Sequence, residues 1–244
     1  MRLPTASKLD LFRACGGPWR LPLPETRDGS SKAAEKGKAL HRYAETGISQ
    51  SKRGKPTLDE EAVSRALDDL PSWVSLVRVE PRECVVRYRP RDGVAEVVGR
   101  SLSARPYGDA DDEWIWGTAD LVGVTEGGER LLVADLKTGS AGWLKLPWGD
   151  LDEVPLQTPF LAAVFNRVLH FSSALVGIVS SATERAYLRS VDAAWLESVL
   201  EYVSRLCAAP PTKLTPGEYC TFCLVRGSCP LFATTRTPSA TGQT

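Results

Sequence analysis

The stretch GTADLVGVTEGGERLLVADLKTG, residues 117–139, constrains this chain more than any other. Two apolar, strand-like runs flank Gly127–Gly128, and a two-residue glycine loop between such runs signals a β-hairpin. With those glycines as the loop, Asp120 falls directly across from Asp135. Opposed side chains share a face, with Cβ atoms roughly 4.5–5.5 Å apart, and two carboxylates held that close repel each other. A divalent cation between them reverses the sign of the interaction. Lys137 lies two residues beyond Asp135 and shares its face, while Leu136 points the other way, into the core. Hard oxygen ligands suit Mg²⁺ or Mn²⁺. A neighbouring ammonium can orient an attacking water or neutralise charge developing on a phosphate. Asp, Asp and Lys on one surface are equipment for phosphodiester hydrolysis. A D-x-K tripeptide alone reads better as strand-end charge, because short motifs recur by chance. The opposed Asp120, the apolar lead-ins and the glycine turn reverse that preference.

Around the hairpin the pattern is α/β. Apolar periodicity and caps predict helices over 8–14 (Ser7 as N-cap, Gly16–Gly17–Pro18 as stop), 33–47 (closed by Gly47), 60–70, 156–169 and 191–207. Pro155 and Pro159 fit only the first turns of the fourth, or kink it. Strands are predicted over 83–89, 114–124, 130–137, 174–180 and 185–190. Residues 24–32 read as a loop, AAPPTKLTPGE as a linker, and 234–244 as a disordered tail, leaving one domain over 1–233.

Composition sets the class. At 244 residues, 43% hydrophobic and 25% charged, the chain reads as an ordinary soluble globular protein. Its formal net charge of zero neither supports nor excludes a nucleic-acid partner, so any basic surface is local. The opening MRLPTASKLDLFRACGG has no long apolar core for secretion, and no apolar run reaches membrane-spanning length. The expected compartment is the cytoplasm, with no membrane partner, where thiols stay reduced and free to bind metal.

Near the C-terminus CTFCLVRGSCP places Cys220, Cys223 and Cys229 within ten residues. Three crowded thiolates suggest a metal site, yet a closed zinc site or an iron–sulfur cluster normally takes four ligands. Cys84, on a strand, and Cys207, on a long helix, read as core residues.

The G-x-x-D of Gly117–Asp120, followed by a strand ending in Asp135–Leu136–Lys137, resembles the PD-(D/E)XK nuclease superfamily. More narrowly it is similar to the RecB-like nuclease domains, including the CRISPR-associated RecB-like exonucleases. The likeness runs over residues 7–230 and rests on the order of short motifs. It implies a restriction-endonuclease-like core, a central mixed β-sheet flanked by helices. It also implies metal-dependent hydrolysis of DNA, as an exonuclease or end-processing enzyme on single-stranded DNA. Asp120, Asp135 and the Leu136 carbonyl would hold Mg²⁺ or Mn²⁺, with His41 of Gly37-x-x-x-His41 assisting. Lys137 and Gln157 would position the water and the scissile phosphate. Gln157 matches the glutamine of the family's Q-x-x-x-Y motif, but Leu161 stands where the tyrosine would be, and the motif acid is Asp135 where many relatives have Glu. The branch with a [4Fe–4S] cluster takes one cysteine from before the core, which implies Cys15 as the fourth ligand beside Cys220, Cys223 and Cys229, joining the termini. Structural Zn²⁺ in the same thiolates is the alternative. DNA is the implied partner, with a helicase or the CRISPR-adaptation machinery alongside; recombination, repair and phage contexts stay open. Two other functions fit the same residues: an inactive DNA-binding or scaffold protein that keeps the fold, and a zinc-bound regulatory protein.

The segment ECVVRYRPR puts Arg87, Arg89 and Arg91 on one parity with Glu83, a face suited either to phosphates or simply to water. Glu83 or Glu80 is a candidate for an extra acid found in some relatives. Trp143 and Trp148 lie in the loop after Lys137, where they would stack on unpaired bases or cover the core. The acidic run GDADDE lacks calcium-loop spacing and reads as a solvated loop.

Overall fold

The structure is a computed structural model, described for residues 2–21, 32–49, 51, 55–72, 84–100, 112–125, 128–139, 146–147, 149–223 and 225–233. A 3-10 turn, Ala6–Lys8, leads into helices α1 (Leu9–Ala14) and α2 (Gly17–Arg20). Ser7 therefore belongs to the tighter turn and does not cap α1; its hydroxyl meets that of Thr5 at 3.3 Å. Helix α3 (Lys32–Thr46) closes as expected at Gly47, whose φ of 65° suits glycine and whose N–H reaches the Tyr43 carbonyl at 2.8 Å. Helix α4 (Leu58–Asp68) starts on a capping box: the Thr57 hydroxyl takes the Glu60 N–H, and the Glu60 carboxylate takes the Thr57 N–H.

The strands form two sheets, where one central mixed sheet was predicted. Strands β1 (Cys84–Arg89), β2 (Val94–Arg100) and β3 (Ile115–Ala119) make an antiparallel sheet in the order β2-β1-β3. Strands β4 (Leu121–Val124), β5 (Arg130–Lys137), β6 (Ser173–Ser180) and β7 (Arg185–Asp192) make a mixed sheet in that order, with β5 and β6 parallel. The predicted strand over 114–124 is thus two strands that part at Asp120 and join different sheets. Strand β2, which gives the three-stranded sheet its edge, was not expected.

The β4–β5 register is the one the hairpin reading requires, with Leu121 opposite Ala134 and Val124 opposite Leu131. The loop is longer than two residues. The Thr125 N–H bonds to Arg130 O at 2.9 Å, and the Gly128 N–H turns back to Thr125 O at 2.8 Å.

Strand β5 is buried along its length except at its ends, so both of its faces are covered. On one face Leu131 and Val133 pack against α5 (Gln157–Leu169) and α6 (Ala193–Ala208). On the other, Ala134 and Leu136 pack with Leu40 and Tyr43 of α3 and Val63 and Ala66 of α4. Helix α5 is buried from Thr158 to Asn166, with Pro159 in its first turn as anticipated. Asp192 caps α6 by taking the Trp195 N–H at 2.7 Å. The chain ends in 3-10 turns at Glu218–Phe222 and Arg226–Ser228 and in α7 (Pro230–Ala233).

Most of the 24–32 loop, Glu80, Glu83, residues 108–111, Trp143, Trp148 and the 234–244 tail lie outside the described residues. No described helix is long and apolar enough to cross a membrane.

Candidate active site

The break between β3 and β4 places the first carboxylate. Continuing the β4–β5 register by one residue sets Asp120 beside Asp135. Asp120 is not part of either strand, and its Oδ2 accepts the Leu136 N–H at 2.9 Å. Within a strand the N–H and C=O of one residue face the same neighbour, so the Leu136 carbonyl is also directed to the Asp120 side. Alternation along β5 then puts Asp135 and Lys137 on the α5 face and Leu136, 3% exposed, under α3 and α4, as expected.

Asp135 is 5% exposed and fully engaged on one oxygen. Its Oδ1 accepts Gln157 Nε2 at 2.8 Å. Its Oδ2 lies 2.6 Å from Lys137 Nζ, an ion pair that is this buried oxygen's one partner among the described residues. Burial raises the Asp135 pKa and Lys137 opposes the rise, while the nearby Asp120 charge adds to it. Lys137 is raised as well: burial works to lower it, and the Asp135 charge outweighs that effect. With 45% of its side chain exposed, Lys137 keeps enough water to stay cationic.

His41 comes from α3, its Nδ1 3.3 Å from Asp120 Oδ1. Gly37, one turn earlier, faces Thr138 just past β5; a Cβ there would meet Thr138 Oγ1 at 3.5 Å, an ordinary contact, so space does not require the glycine. His41, Asp120, Asp135, Leu136, Lys137 and Gln157 all line one open cleft of about 420 Å³. The structure therefore brings together every residue predicted for the hydrolytic site.

The carboxylate pair, the neighbouring imidazole and the Asp135 oxygen that faces Lys137 fit a hard divalent cation in donor type. Among the described residues, no group of three or more His, Cys, Asp or Glu converges to hold a metal ion. The donors are instead closed on one another through His41–Asp120 and Lys137–Asp135, contacts that a cation would replace.

Two residues of the family-like motifs do structural work. A Cβ on Gly117 would sit 2.5 Å from Leu161 Cδ2 and 2.8 Å from Ala6 Cβ, so β3 approaches α5 and the N-terminal turn at glycine distance. Leu161 is 1% exposed against that glycine, so the position where the motif carries tyrosine faces the core here. Its neighbour Phe160 is fully buried in a T-shaped contact with Tyr88.

Sequence reading missed Asp10. Its Oδ1 accepts the Leu156 N–H at 3.0 Å and Arg13 Nη2 at 2.9 Å. It thereby anchors the start of α5, the turn that presents Gln157. No local pattern marks it, because its partner is 146 residues away. The turn Thr5–Ser7 also lines the cleft.

The predicted arginine face is only partly assembled. Arg87 and Arg89 lie on β1 but are paired to Glu96 at 2.5 Å and Asp92 at 2.8 Å. Arg91 sits in the turn beyond the strand.

Cys15, Cys220, Cys223 and Cys229 line a separate cavity of about 170 Å³. The linker closes over Cys15, with Gly16 N–H bonded to Lys213 O at 3.1 Å, so the two ends of the domain meet here. Backbone N–H groups approach the sulfurs: Gly17 and Thr215 lie 3.4 and 3.5 Å from Cys15 Sγ, and Gly217 lies 3.3 Å from Cys220 Sγ. Burial raises the Cys223 pKa, and the three neighbouring thiols raise it further. Cys84 and Cys207 are absent from the cavity lining, and burial pushes Cys207 up to about 12.

The model of the PD-(D/E)XK nuclease superfamily matches residues 5–230. No curated protein matches the chain.

Proposed function

This chain belongs to the PD-(D/E)XK nuclease superfamily, and we propose that it is a divalent-metal-dependent deoxyribonuclease acting on single-stranded DNA from free ends. The observation that carries the reading is the Asp120–Asp135 pair, one carboxylate beside the other in a cleft, with the buried Asp135 Oδ2 held only by the Lys137 ammonium. A sheet otherwise avoids opposed carboxylates, and a protein that only binds DNA has no need of them.

In this reading Asp120, Asp135 and the Leu136 carbonyl hold Mg²⁺ or Mn²⁺, with His41 assisting. The bound cation would supply Lewis-acid polarisation of the phosphate and a water of lowered pKa. Gln157, fixed by the start of α5, holds Asp135 in one rotamer through Oδ1 and leaves Oδ2 for the cation. Lys137 is the mobile partner: released from Asp135, its half-exposed ammonium faces the cleft and can steady charge developing on a phosphate oxygen.

The four cysteines are proposed to hold a [4Fe–4S] cluster with a structural role. The cavity has room for more than a single ion, and N–H groups aimed at sulfur are a usual way to stabilise cluster thiolates. The N–H groups suit either site; the room in the cavity is what favours the cluster over Zn²⁺. Such a site needs reduced thiols, and so the cytoplasm or another reducing compartment. The setting we propose is DNA processing beside a helicase or in CRISPR adaptation.

Digestion of linear and circular single-stranded DNA in Mn²⁺ tests the end-dependence. Release of short products from linear strands with the circle intact supports an exonuclease. Equal cleavage of both would replace it with an endonuclease.

A further inference from the structure

The outward face of the three-stranded sheet carries interleaved arginine and tryptophan that run up to the cleft. Arg87 of β1 lies opposite Trp116 of β3. Its guanidinium sits 4.1 Å from the Trp114 ring centre and 5.3 Å from that of Trp116, and Arg89 sits 4.7 Å from Trp114. Glu96 and Asp92 hold the two arginines in place. With their charges matched locally, these arginines are poor trackers of phosphate and good fixed supports for aromatic rings.

Trp116 differs from Trp114 in its surroundings. Trp114 is 9% exposed beneath the arginines, whereas Trp116 is half-buried and lines the cleft with Thr118 and Asp120. The core does not need its ring. Ile115, Gly117 and Ala119 fill the inner face of β3, and Trp116 points to the opposite one. Trp116 is four positions before Asp120, about 13 Å along a strand. An indole at that position can contact a base flanking a phosphate at the proposed cation site of Asp120 and Asp135, provided the base is unpaired and free to present its face.

We propose that Trp116 is a base-stacking residue for an unpaired strand entering the cleft, with Arg87 as the support that fixes its ring. The inference rests on the nuclease reading for the strand's position and deepens it by giving a physical basis for single-strand preference. It also replaces Arg87 and Arg89 as phosphate contacts with a stacking platform.

The test measures binding of fluorescein-labelled single-stranded DNA, with Ca²⁺ in place of Mg²⁺, by anisotropy. One abasic nucleotide is moved through the strand in successive probes. In wild type, one register of the abasic site should weaken binding about tenfold, the usual worth of one stacked base. Trp116→Ala should bind the complete strand that much more weakly and show no dependence on abasic position, while Trp116→Phe should recover most of the difference. Trp116→Leu, which keeps apolar bulk without an aromatic face, should behave as the alanine variant does and serves if that variant does not fold. Full abasic sensitivity in Trp116→Ala or Trp116→Leu, or a wild type indifferent to every abasic position, overturns the proposal. Metal-dependent cleavage is scored separately on the same probes. Cleavage without a stacking signature removes Trp116 alone. A stacking signature without cleavage removes the nuclease reading and leaves the platform standing.

Discussion

Asp120 Oδ2 takes the Leu136 N–H at 2.9 Å, where a regular strand would have offered a carbonyl. One side chain thereby stands in for the missing ladder bond between two sheets and delivers a carboxylate to the cleft. The two roles separate by substitution. Asp120→Asn keeps an oxygen for Leu136 and should fold with little loss, yet lose hydrolysis by about a hundredfold or more. Asp120→Ala should lose the same activity and in addition about 1–3 kcal/mol of stability, the cost of a buried N–H left without a partner. Urea unfolding of both variants beside the activity assay checks the split.

Asp135 should weaken the metal-free protein. Burial holds its folded pKa above the unfolded value of about 3.9. The unfolded chain therefore loses this proton first as pH rises, and the folded state is penalised from that pH upward until it too ionises. Asp135→Asn removes the penalty. In EDTA the variant should match or exceed wild-type stability near neutral pH, by an amount of order 1 kcal/mol, with the gap narrowing toward acid. Mn²⁺ should raise the Tm of wild type and leave that of Asp135→Asn unchanged. Thermal scans with and without metal at several pH values give the result.

Gly117 and Leu161 should be energetically coupled. Gly117→Ala forces a Cβ to 2.5 Å from Leu161 Cδ2 and should cost about 1–3 kcal/mol through overpacking. Leu161→Ala should cost about 2–5 kcal/mol as a core cavity. The double variant should be less destabilised than the two losses added together, because each change relieves the other. Leu161→Tyr, which restores the family pattern, should destabilise, since this side chain faces the core.

The cysteines should divide by position. Cys15→Ala and Cys223→Ala should lose cluster iron and sulfide, and solubility, to a similar degree. Cys84→Ala and Cys207→Ala should retain both. Iron and sulfide analysis with visible spectra of anaerobically purified variants decides. A full cluster in Cys15→Ala breaks the link between the termini, and one zinc in colourless wild-type protein replaces the cluster.

Local chemistry explains what the sequence made legible. The β5 strand, Gly47 and the opposition of Asp120 and Asp135 all follow from pattern and turn residues acting over short range. The split of the 114–124 run at Asp120 was hidden because the apolar pattern runs on through it; only the Leu136 N–H shows that the residue faces a different strand. Asp10 and Trp116 were missed for related reasons. Each takes its meaning from partners that the fold brings close: Asp10 from Leu156, and Trp116, though in a predicted strand, from Arg87 across the sheet. The hairpin loop shows the opposite case. Its length was misjudged while its register was right, because the flanking strands fix the pairing.

The central claim is that Asp120 and Asp135 form a cation site for phosphodiester hydrolysis. Its most direct test is degradation of 5′- and 3′-labelled single-stranded DNA by cluster-loaded protein in Mn²⁺, with wild type beside Asp135→Ala. The account predicts progressive cleavage by wild type, abolished by EDTA and reduced at least a hundredfold in the variant. Wild-type protein that leaves DNA intact in Mn²⁺ and Mg²⁺, or an Asp135→Ala variant that cleaves as wild type does, would contradict it.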